Sequence, residues 1–237
     1  MSDLDNGYDG FVLHPGDLGY AMGVGIVWDV WGELALQPVG SRAAYMVTVG
    51  NHEYDHTGFT GNDPSGAAPG GWHPQQGPKP EKWGNMGDDS LGECGVPTAA
   101  RFDGTGNGNK VFWYSFDEGG VHVVVMSSEH DWRQGSTQYA WLASDLKSVN
   151  RTKTPWIILA THRMMYTTQA KEVNDYKVSL GMREQLEDLL YAYQVNLMLV
   201  GHQHSYERSC AAYRGECVKD GVSGTTHLVV GSAGETN

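Results

Sequence analysis

The sequence predicts an α/β fold. Short apolar runs of the kind that form buried strands alternate with segments in which apolar residues recur at helical spacing. Four polar clusters each follow directly after a predicted strand, as is typical of binding residues at the carboxyl edge of an α/β sheet. With 237 residues, 40% of them hydrophobic, the chain is long enough for one sizeable domain with a buried core.

The first half of the chain contains two predicted strands and one helix. Residues 11–13 and 45–49 are apolar runs that end at glycine-containing turns, which is typical of strands. Residues 24–36 are predicted to form a helix. Its apolar positions at helical spacing are Val27, Val30, Trp31 and Leu34. Residues 54–109 are rich in Gly, Pro, Asp and Asn without periodicity, and we interpret them as a functional rim or an irregular insertion. A linker is the less favoured interpretation, because site motifs lie on both sides of the segment.

The second half alternates more regularly. Strands are predicted at residues 111–116, 121–126, 156–160, 195–200 and 227–230. Helices are predicted at residues 136–149 and 182–193, each with a single apolar stripe. His14, His122 and His227 fall within strand patterns and are expected in the core or on a sheet face, whereas His130 follows a strand and is a candidate for a supporting position near the site.

Charge and hydropathy exclude several kinds of partner. The chain carries 16 Lys and Arg against 28 Asp and Glu, a net charge of −12, which disfavours a nucleic-acid backbone or an anionic membrane. It contains no apolar run of about 18 residues, so no transmembrane span is expected. A small anionic substrate remains compatible, because bound metal ions would dominate the local field.

The four polar clusters together predict a two-metal site. They are Gly16-Asp17-Leu18-Gly19-Tyr20, Gly50-Asn51-His52-Glu53, His162 and Gly201-His202-Gln203-His204. A carboxylate can bridge two cations, histidines bind zinc, iron and manganese, and a phenolate favours a trivalent ion such as ferric iron. Each cluster alone is a weak signal. All four at strand ends suit two adjacent metal ions that clamp a phosphoryl group.

These clusters, in this order, resemble the motifs of the purple acid phosphatases in the calcineurin-like metallophosphoesterase superfamily. Four of the family's five motifs are present: GDxxY, GNHE, an isolated His after a strand, and GHxH. The segments around His162-Arg163-Met164-Met165-Tyr166 and Gly201 to Arg208 resemble the large plant- and protist-type enzymes. The resemblance implies a β-sandwich of two mixed sheets flanked by helices, with residues 1–237 as part of one catalytic domain.

The resemblance also implies roles for individual residues. Asp17 would bridge two ions, with Tyr20 and His204 on Fe(III). Asn51, His162 and His202 would bind a divalent ion, which is Zn, Mn or Fe. His52 would hydrogen-bond the phosphate and assist the leaving group. Glu53 would orient its loop, and Arg163 and Tyr166 are weaker candidates for substrate contact.

One motif is missing. The family's GDxG motif supplies a further ferric ligand upstream of the second motif, and Asp3, Asp5 and Asp9 lie too close to Asp17 to replace it. The N-terminal β-sandwich domain of the large family members is also absent. We therefore expect the chain to be a fragment of a longer product, incomplete at the N-terminus, that holds six of the seven expected ligands.

The three cysteines and one sequon bear on the compartment. Cys210 and Cys217 are close enough in sequence to close a small disulfide loop, and Cys94 is left over. Asn150-Arg151-Thr152 matches the N-glycosylation pattern. Together with the resemblance, these features favour a secreted or vacuolar glycoprotein.

Three functions follow as hypotheses. The first is an acid phosphatase that hydrolyses small phosphate monoesters by attack of a metal-bound hydroxide. The second keeps the same site and acts on phosphodiesters or nucleotide pyrophosphates, with the rim deciding between them. The third is a non-catalytic, metal-binding fragment, because the missing aspartate would weaken the ferric position.

Overall fold

Two sheets packed face to face form the centre of the structure. The structure is a computed structural model that describes residues 6–7, 10–54, 63–66, 89–169 and 173–232. The smaller sheet is a parallel pair of β1 (Phe11–His14) and β2 (Ala44–Val47). The larger sheet has seven strands, and helices cover the outer faces. The predicted α/β class is confirmed.

The larger sheet is mixed. Its strands are β3 (Tyr114–Glu118), β4 (Val121–Val125), β5 (Trp156–Ala160), β6 (Leu197–Val200), β7 (Tyr206–Tyr213), β8 (Glu216–Cys217) and β9 (Thr225–Val230). They lie in the order β3-β4-β5-β6-β9-β7-β8. β4, β5, β6 and β9 run parallel, whereas β3, β7 and β8 join by antiparallel pairing. The parallel strands therefore deliver their carboxyl ends to one edge.

Apolar side chains fasten the small sheet to the large one. Phe11 of β1 packs edge-to-face on Phe116 of β3, with the ring centroids 5.3 Å apart. The Tyr114 hydroxyl donates to the carbonyl of Val47 at 2.8 Å and accepts from its N–H at 3.1 Å. These contacts fix β2, and the loop that follows it, against the large sheet.

Helices form the two outer layers. Their bounds are α1 (Gly25–Trp31), continued by a π-helical segment (Gly32–Leu36) and by α2 (Gln37–Gly40), then α3 (Val96–Arg101), α4 (Thr137–Ser148) and α5 (Val173–Ala192). Leu142 and Leu146 of α4 and Leu186 of α5 are buried in the main core against β4, β5 and β6. No helix in the described part of the chain is long and apolar enough to cross a membrane.

The predicted helix at 136–149 agrees closely with α4, because its ends are encoded locally. Ser136 is the N-cap, and its hydroxyl accepts from the Tyr139 N–H at 3.1 Å. The predicted helix at 182–193 is only the second half of α5, which begins at Val173. The first part was missed because its apolar positions do not form a clear stripe in the sequence.

The predicted stripe on the first helix is partly wrong. Trp28 is the buried residue of α1, and its indole N–H donates to Glu93. Val30 and Leu34 of the predicted stripe are 48% and 72% exposed. Leu34 lies in the π-helical segment, whose positions are rotated away from the ideal 3.6-residue period, so helical spacing alone misplaces this part of the stripe.

Two parts of the chain contain secondary structure that was not predicted from the sequence. The segment 54–109 lies partly outside the described residues, and its described part contains α3. β7 and β8 form a hairpin, and Cys210 and Cys217 join these strands by a disulfide with Cα atoms 5.7 Å apart. Cys94 is buried and is not part of this disulfide.

His122 links the edge of the large sheet to α4. Its Nδ1 lies 2.6 Å from Asp117 and its Nε2 lies 2.9 Å from Asp145. Burial opposes protonation of His122, but the hydrogen bonds and charges of the two carboxylates outweigh it and raise the pKa. The native protein therefore holds this proton to a higher pH than the unfolded chain does.

We expect this contact to make stability depend on pH. Its contribution is complete below about pH 6.5, where unfolded histidine is also protonated, and is lost as the pH rises through the raised pKa of His122. Urea unfolding of wild type and His122→Gln at about pH 6 and pH 9 measures this. The wild type should lose more unfolding free energy than the variant between these two pH values, and equal losses would contradict the prediction.

Candidate metal centre

The structure brings together all six predicted metal-ligating side chains. Asp17 follows β1, Asn51 follows β2, His162 follows β5 and His202 follows β6. Asp17, His162 and His202 each place a ligand atom within 4.8 Å of the others. Tyr20 and His204 complete the set beside Asp17. The parallel pairing of β1 with β2 and of β5 with β6 produces this convergence.

Four acceptor atoms, one of them Asp17 Oδ2, lie close to one another. His162 Nε2 lies 2.9 Å from Asn51 Oδ1, 3.1 Å from His202 Nδ1 and 3.2 Å from Asp17 Oδ2. His162 Nδ1 lies 2.7 Å from the carbonyl of Pro15, so a neutral ring that donates there directs its Nε2 lone pair into the cluster. Four lone pairs this close repel one another unless a cation lies among them, and the donor set therefore fits a metal ion.

A second donor group, formed by Tyr20 and His204, contacts the same oxygen of Asp17 as His162 does. The Tyr20 hydroxyl is 3.3 Å from Asp17 Oδ2 and 3.0 Å from His204 Nε2. Asp17 is thus common to both groups, as a bridging carboxylate must be. Asp17, Tyr20 and His202 all have positive φ, at 54°, 47° and 62°. Such backbone conformations are costly for non-glycine residues and cluster at functional sites.

His52 and Asn51 are both held by Asp89. His52 Nδ1 lies 3.2 Å from the Asp89 carbonyl, and Asn51 Nδ2 donates to the Asp89 carboxylate at 3.0 Å. The second contact turns Oδ1 of Asn51 toward the acceptor cluster. The first leaves Nε2 of His52 for chemistry with a ligand. Asp89 was not predicted, because a single aspartate in an irregular segment carries no sequence signal.

The Glu53 side chain organises the backbone around Asp17. Its fully buried carboxylate accepts from the N–H groups of Asp17 and Leu18, both at 2.7 Å, and of Gly50 at 3.0 Å. Because these amides belong to the loops after β1 and β2, one side chain ties the two loops together. Burial and the charge of Asp17 raise the pKa of Glu53, and the hydrogen bonds from the Gly50 and Leu18 N–H groups oppose this rise by stabilising the carboxylate.

Glycines allow these loops to approach closely. A Cβ at Gly16 would lie 2.6 Å from His162 Nδ1, and a Cβ at Gly50 would lie 2.3 Å from Asp17 Oδ1. Gly16 also has φ of +84°, in the left-handed region that favours glycine. The glycines of these two motifs are therefore required by the short distance between loop backbone and donor side chains.

The electrostatics of the cluster favour cation binding. Burial would raise the pKa of Asp17, but His162, His52 and His202 together hold it below its ordinary value. Burial opposes protonation of His162, yet the charge of Asp17 raises the pKa of this histidine to about 8. A metal ion would replace that proton. Burial, followed by the charge of Arg163, lowers the pKa of His202 to about 4.

Arg163 and Tyr166 do not occupy positions suited to substrate contact, and that prediction is corrected. The Arg163 side chain is 1% exposed and its guanidinium pairs with Glu129 and Asp175. The Tyr166 hydroxyl donates to Glu187 and accepts from the Gly215 N–H at 2.8 Å. Both side chains are thus engaged by acidic side chains and backbone groups of the protein itself.

His130 packs away from the donor cluster. Its ring stacks on Tyr54 with centroids 4.0 Å apart, and its Nδ1 lies 2.8 Å from Ser127 Oγ. Besides Glu53, Glu129 and Asp175 are buried carboxylates near the site, and neither of these two was indicated by the sequence pattern. Single acidic residues are too common for their position alone to predict burial.

We expect Glu53→Gln to destabilise the protein by about 2–3 kcal/mol. The amide has one acceptor oxygen in place of two, so its NH₂ group would face a backbone N–H. Chemical denaturation of metal-free protein measures the loss. Glu184→Gln is the matched control, because Glu184 is exposed on α5. Equal stability of both variants would contradict the importance of the three backbone contacts.

A cavity of about 270 Å³ opens beside the donor cluster. Asp17, Tyr20, His202 and His204 line it together with Tyr45. It has room for a small ligand next to the bridging carboxylate.

Comparison with known proteins supports the same class. Residues 7–206 match the sequence profile of the calcineurin-like phosphoesterase family. A protein of Arabidopsis thaliana named probable inactive purple acid phosphatase 9 is 39% identical over 237 residues, covering 94% of this chain and 33% of the relative. A nucleotide pyrophosphatase/phosphodiesterase of Hordeum vulgare is 32% identical over 249 residues, covering 99% of this chain and 59% of the relative.

The similarity extends to a solved structure. Purple acid phosphatase PPD1 from yellow lupin seeds (Lupinus luteus) aligns with a TM-score of 0.80 and 33% identity, covering 98% of this chain and 38% of that one. The chain thus spans about a third of the length of the Arabidopsis relative and little more of the lupin protein.

A two-sheet α/β fold with metal-binding types of side chain at its strand ends defines the metallophosphoesterase class. The chain belongs to the calcineurin-like phosphoesterase family, and the purple acid phosphatases are its relatives within it. The family and the donor set together imply a metal centre.

Proposed function

We propose that this chain carries the binuclear metal site of an acid phosphatase that hydrolyses small phosphate monoesters. One observation carries the proposal: a single carboxylate oxygen, Asp17 Oδ2, contacts both donor groups, at 3.2 Å from His162 Nε2 and 3.3 Å from the Tyr20 hydroxyl. A carboxylate in that position can hold two ions close enough to act on one phosphate.

The donor types suggest which ions would bind. Tyr20 and His204, with Asp17, would hold ferric iron, because a phenolate is a hard anionic ligand. Asn51, His162 and His202, with Asp17, would hold Zn²⁺, Mn²⁺ or Fe²⁺. When bound, the ions would supply an activated water as nucleophile and neutralise charge on the phosphate.

The chain's own residues would bind and orient the substrate and move one proton. His52, held through Nδ1 by the Asp89 carbonyl, would present Nε2 to the phosphate or to the leaving oxygen, where a proton is needed. Asp89 would keep the carbonyl of Asn51 turned inward. Glu53 would keep the loops after β1 and β2 at a fixed separation.

The direct test is metal content together with turnover. Protein purified without added metal should contain about two ions per chain, one of them iron. It should hydrolyse p-nitrophenyl phosphate at acidic pH, and a chelator should abolish this. Two bound ions without any hydrolysis of phosphate esters would overturn the catalytic proposal.

A second candidate is hydrolysis of phosphodiesters or nucleotide pyrophosphates at the same site. The barley relative, which is named for that activity, covers 99% of this chain and supports this alternative. Comparing turnover of p-nitrophenyl phosphate with that of bis(p-nitrophenyl) phosphate and a dinucleotide pyrophosphate separates the candidates. A preference for the diester or the pyrophosphate would replace the monoester proposal.

A non-catalytic, metal-binding role is the third candidate. The Arabidopsis relative carries the word inactive in its name, and three described side chains face the Tyr20 position against four at the other. Binding of one ion per chain without turnover would favour this role.

We further propose that the full protein is secreted or vacuolar and glycosylated at Asn150. Asn150 is exposed, and its Oδ1 accepts from the Thr152 hydroxyl at 2.6 Å and from the Thr152 N–H at 3.1 Å. Expression through a eukaryotic secretory pathway should give protein whose mass falls on treatment with peptide-N-glycosidase. Asn150→Gln should show no such fall, and an unmodified wild type would contradict the proposal.

A further inference from the structure

Asp175 is a buried carboxylate directly behind a metal-type ligand. It lies in the first turn of α5 and is 5% exposed. Its Oδ1 is 3.3 Å from Nε2 of His202, on the side of the ring opposite the nitrogen that faces the donor cluster. Neither the motifs nor the family comparison assigns a role to this residue.

Asp175 is held in place by a buried arginine. Arg163 Nη1 donates to Asp175 Oδ1 at 2.9 Å, and Arg163 Nε donates to Glu129 at 2.8 Å. Among the described residues, Arg163 is the one arginine or lysine that is buried. Because Arg163 directly follows His162 in the chain, the path from His162 through Arg163 and Asp175 to His202 joins two candidate ligands of the same ion.

The contact matters because the His202 ring has two competing tautomers. If Nε2 carries the hydrogen and donates to Asp175, Nδ1 presents a lone pair to Asn51 Oδ1 and His162 Nε2, at 3.1 Å from each. If Nδ1 carries the hydrogen, it points into the cluster and Nε2 accepts from Arg163 Nη1, which is 3.3 Å away. Only the first tautomer can bind a metal through Nδ1.

Charge favours the first tautomer. A carboxylate attracts the Nε2–H group, and the N-terminal turn of α5 favours the ionised form of Asp175. The guanidinium is already occupied by two carboxylates, so it competes less well for Nε2. Metal-binding histidines commonly donate their second nitrogen to such an acceptor.

We infer that Asp175, held by Arg163 and Glu129, is a positioning residue that fixes the Nε2–H tautomer of His202 and thereby tunes the affinity of the divalent position. The inference rests on the proposed function, in that it takes His202 as a ligand. In this arrangement the buried charges of Asp175, Arg163 and Glu129 set the tautomer of one metal ligand and do not contact the substrate.

Two measurements on the full chain test this inference. In metal-free wild type, long-range ¹H–¹⁵N correlation of the histidine rings should show His202 protonated at Nε2. In Zn²⁺ titrations against a chromophoric chelator, Asp175→Asn should weaken the tighter site by about 10–100-fold. Asp188→Asn is the matched control, because Asp188 is an exposed aspartate of α5 paired only with surface groups. It should change neither readout.

The outcomes are distinguishable. A wild-type His202 protonated at Nδ1 would overturn the inference, whether or not the variant folds. Zn²⁺ affinity of Asp175→Asn within about twofold of wild type would also overturn it, because the expected loss is at least tenfold. Failure of wild type to bind Zn²⁺ at all would instead count against the proposed function, and the tautomer measurement would still decide the inference.

Discussion

Asp17→Ala is expected to abolish phosphate-ester hydrolysis and to empty both metal positions. Within the part of the chain that the structure describes, Asp17 is the one side chain that contacts both donor groups, and its carboxylate also accepts from the His52 N–H at 3.2 Å. Removing it takes away the only carboxylate among the predicted ligands, so the charge that draws cations into the cluster falls. Metal ions typically supply several kcal/mol of transition-state stabilisation, so turnover should fall by at least about 10³-fold.

Two contrasts separate this effect from general damage. His52→Ala should keep the metal content of wild type while turnover falls by roughly 10²–10⁴-fold, because His52 is assigned to proton transfer and phosphate binding. Asp188→Asn, at the exposed end of α5, should change neither metal content nor turnover. Metal analysis by mass spectrometry and a phosphatase assay give both quantities. Full activity in metal-replete Asp17→Ala would refute the assignment of the whole site.

Arg163→Met is expected to destabilise the protein by about 3–5 kcal/mol. The substitution leaves Glu129 and Asp175, which are 0% and 5% exposed, without their common counter-charge. For a domain of this size, such a loss lowers the melting temperature by roughly 10 °C. Thermal unfolding in the presence of a chelator measures it without a contribution from lost metal.

The controls for Arg163→Met use a surface pair and a compensating change. Arg214→Met should leave the melting temperature unchanged, because Arg214 and Asp188 are 68% and 67% exposed and their pairing is screened by solvent. Adding Glu129→Gln to Arg163→Met should recover part of the loss, because one unpaired buried charge disappears. A melting temperature of Arg163→Met close to wild type would show that the buried pairs contribute little.

The predicted and observed secondary structure agree best where residues close in sequence determine the start and end of an element. The strand predicted at 156–160 matches β5, and the helix predicted at 136–149 matches α4 with Ser136 as its cap. In both, the apolar pattern and the flanking residues lie within a few positions of one another. The four polar clusters were recognisable for the same reason, since each is a contiguous motif after a strand.

Contacts between segments far apart in the chain could not be predicted from the sequence. Asp89 holds Asn51 from 38 positions away, and Glu53 binds the backbone of Asp17 from 36 positions away. The Arg163 side chain, expected near substrate, instead lies inside the core between Glu129 and Asp175. Local periodicity cannot show which way a side chain turns when it leaves a strand, because packing against other elements decides it.

The sequence by itself therefore determined the α/β class, the family and the candidate donor residues, because these depend on residue type and local spacing. The tertiary structure alone decided that Asp17 is shared by two donor groups, which histidine nitrogens face the cluster, and which buried charges support it. The physical reason is distance. Hydrogen bonds and charge pairs act over about 3 Å, and only the folded sheets bring residues as far apart as His14 and Gly201 to one edge.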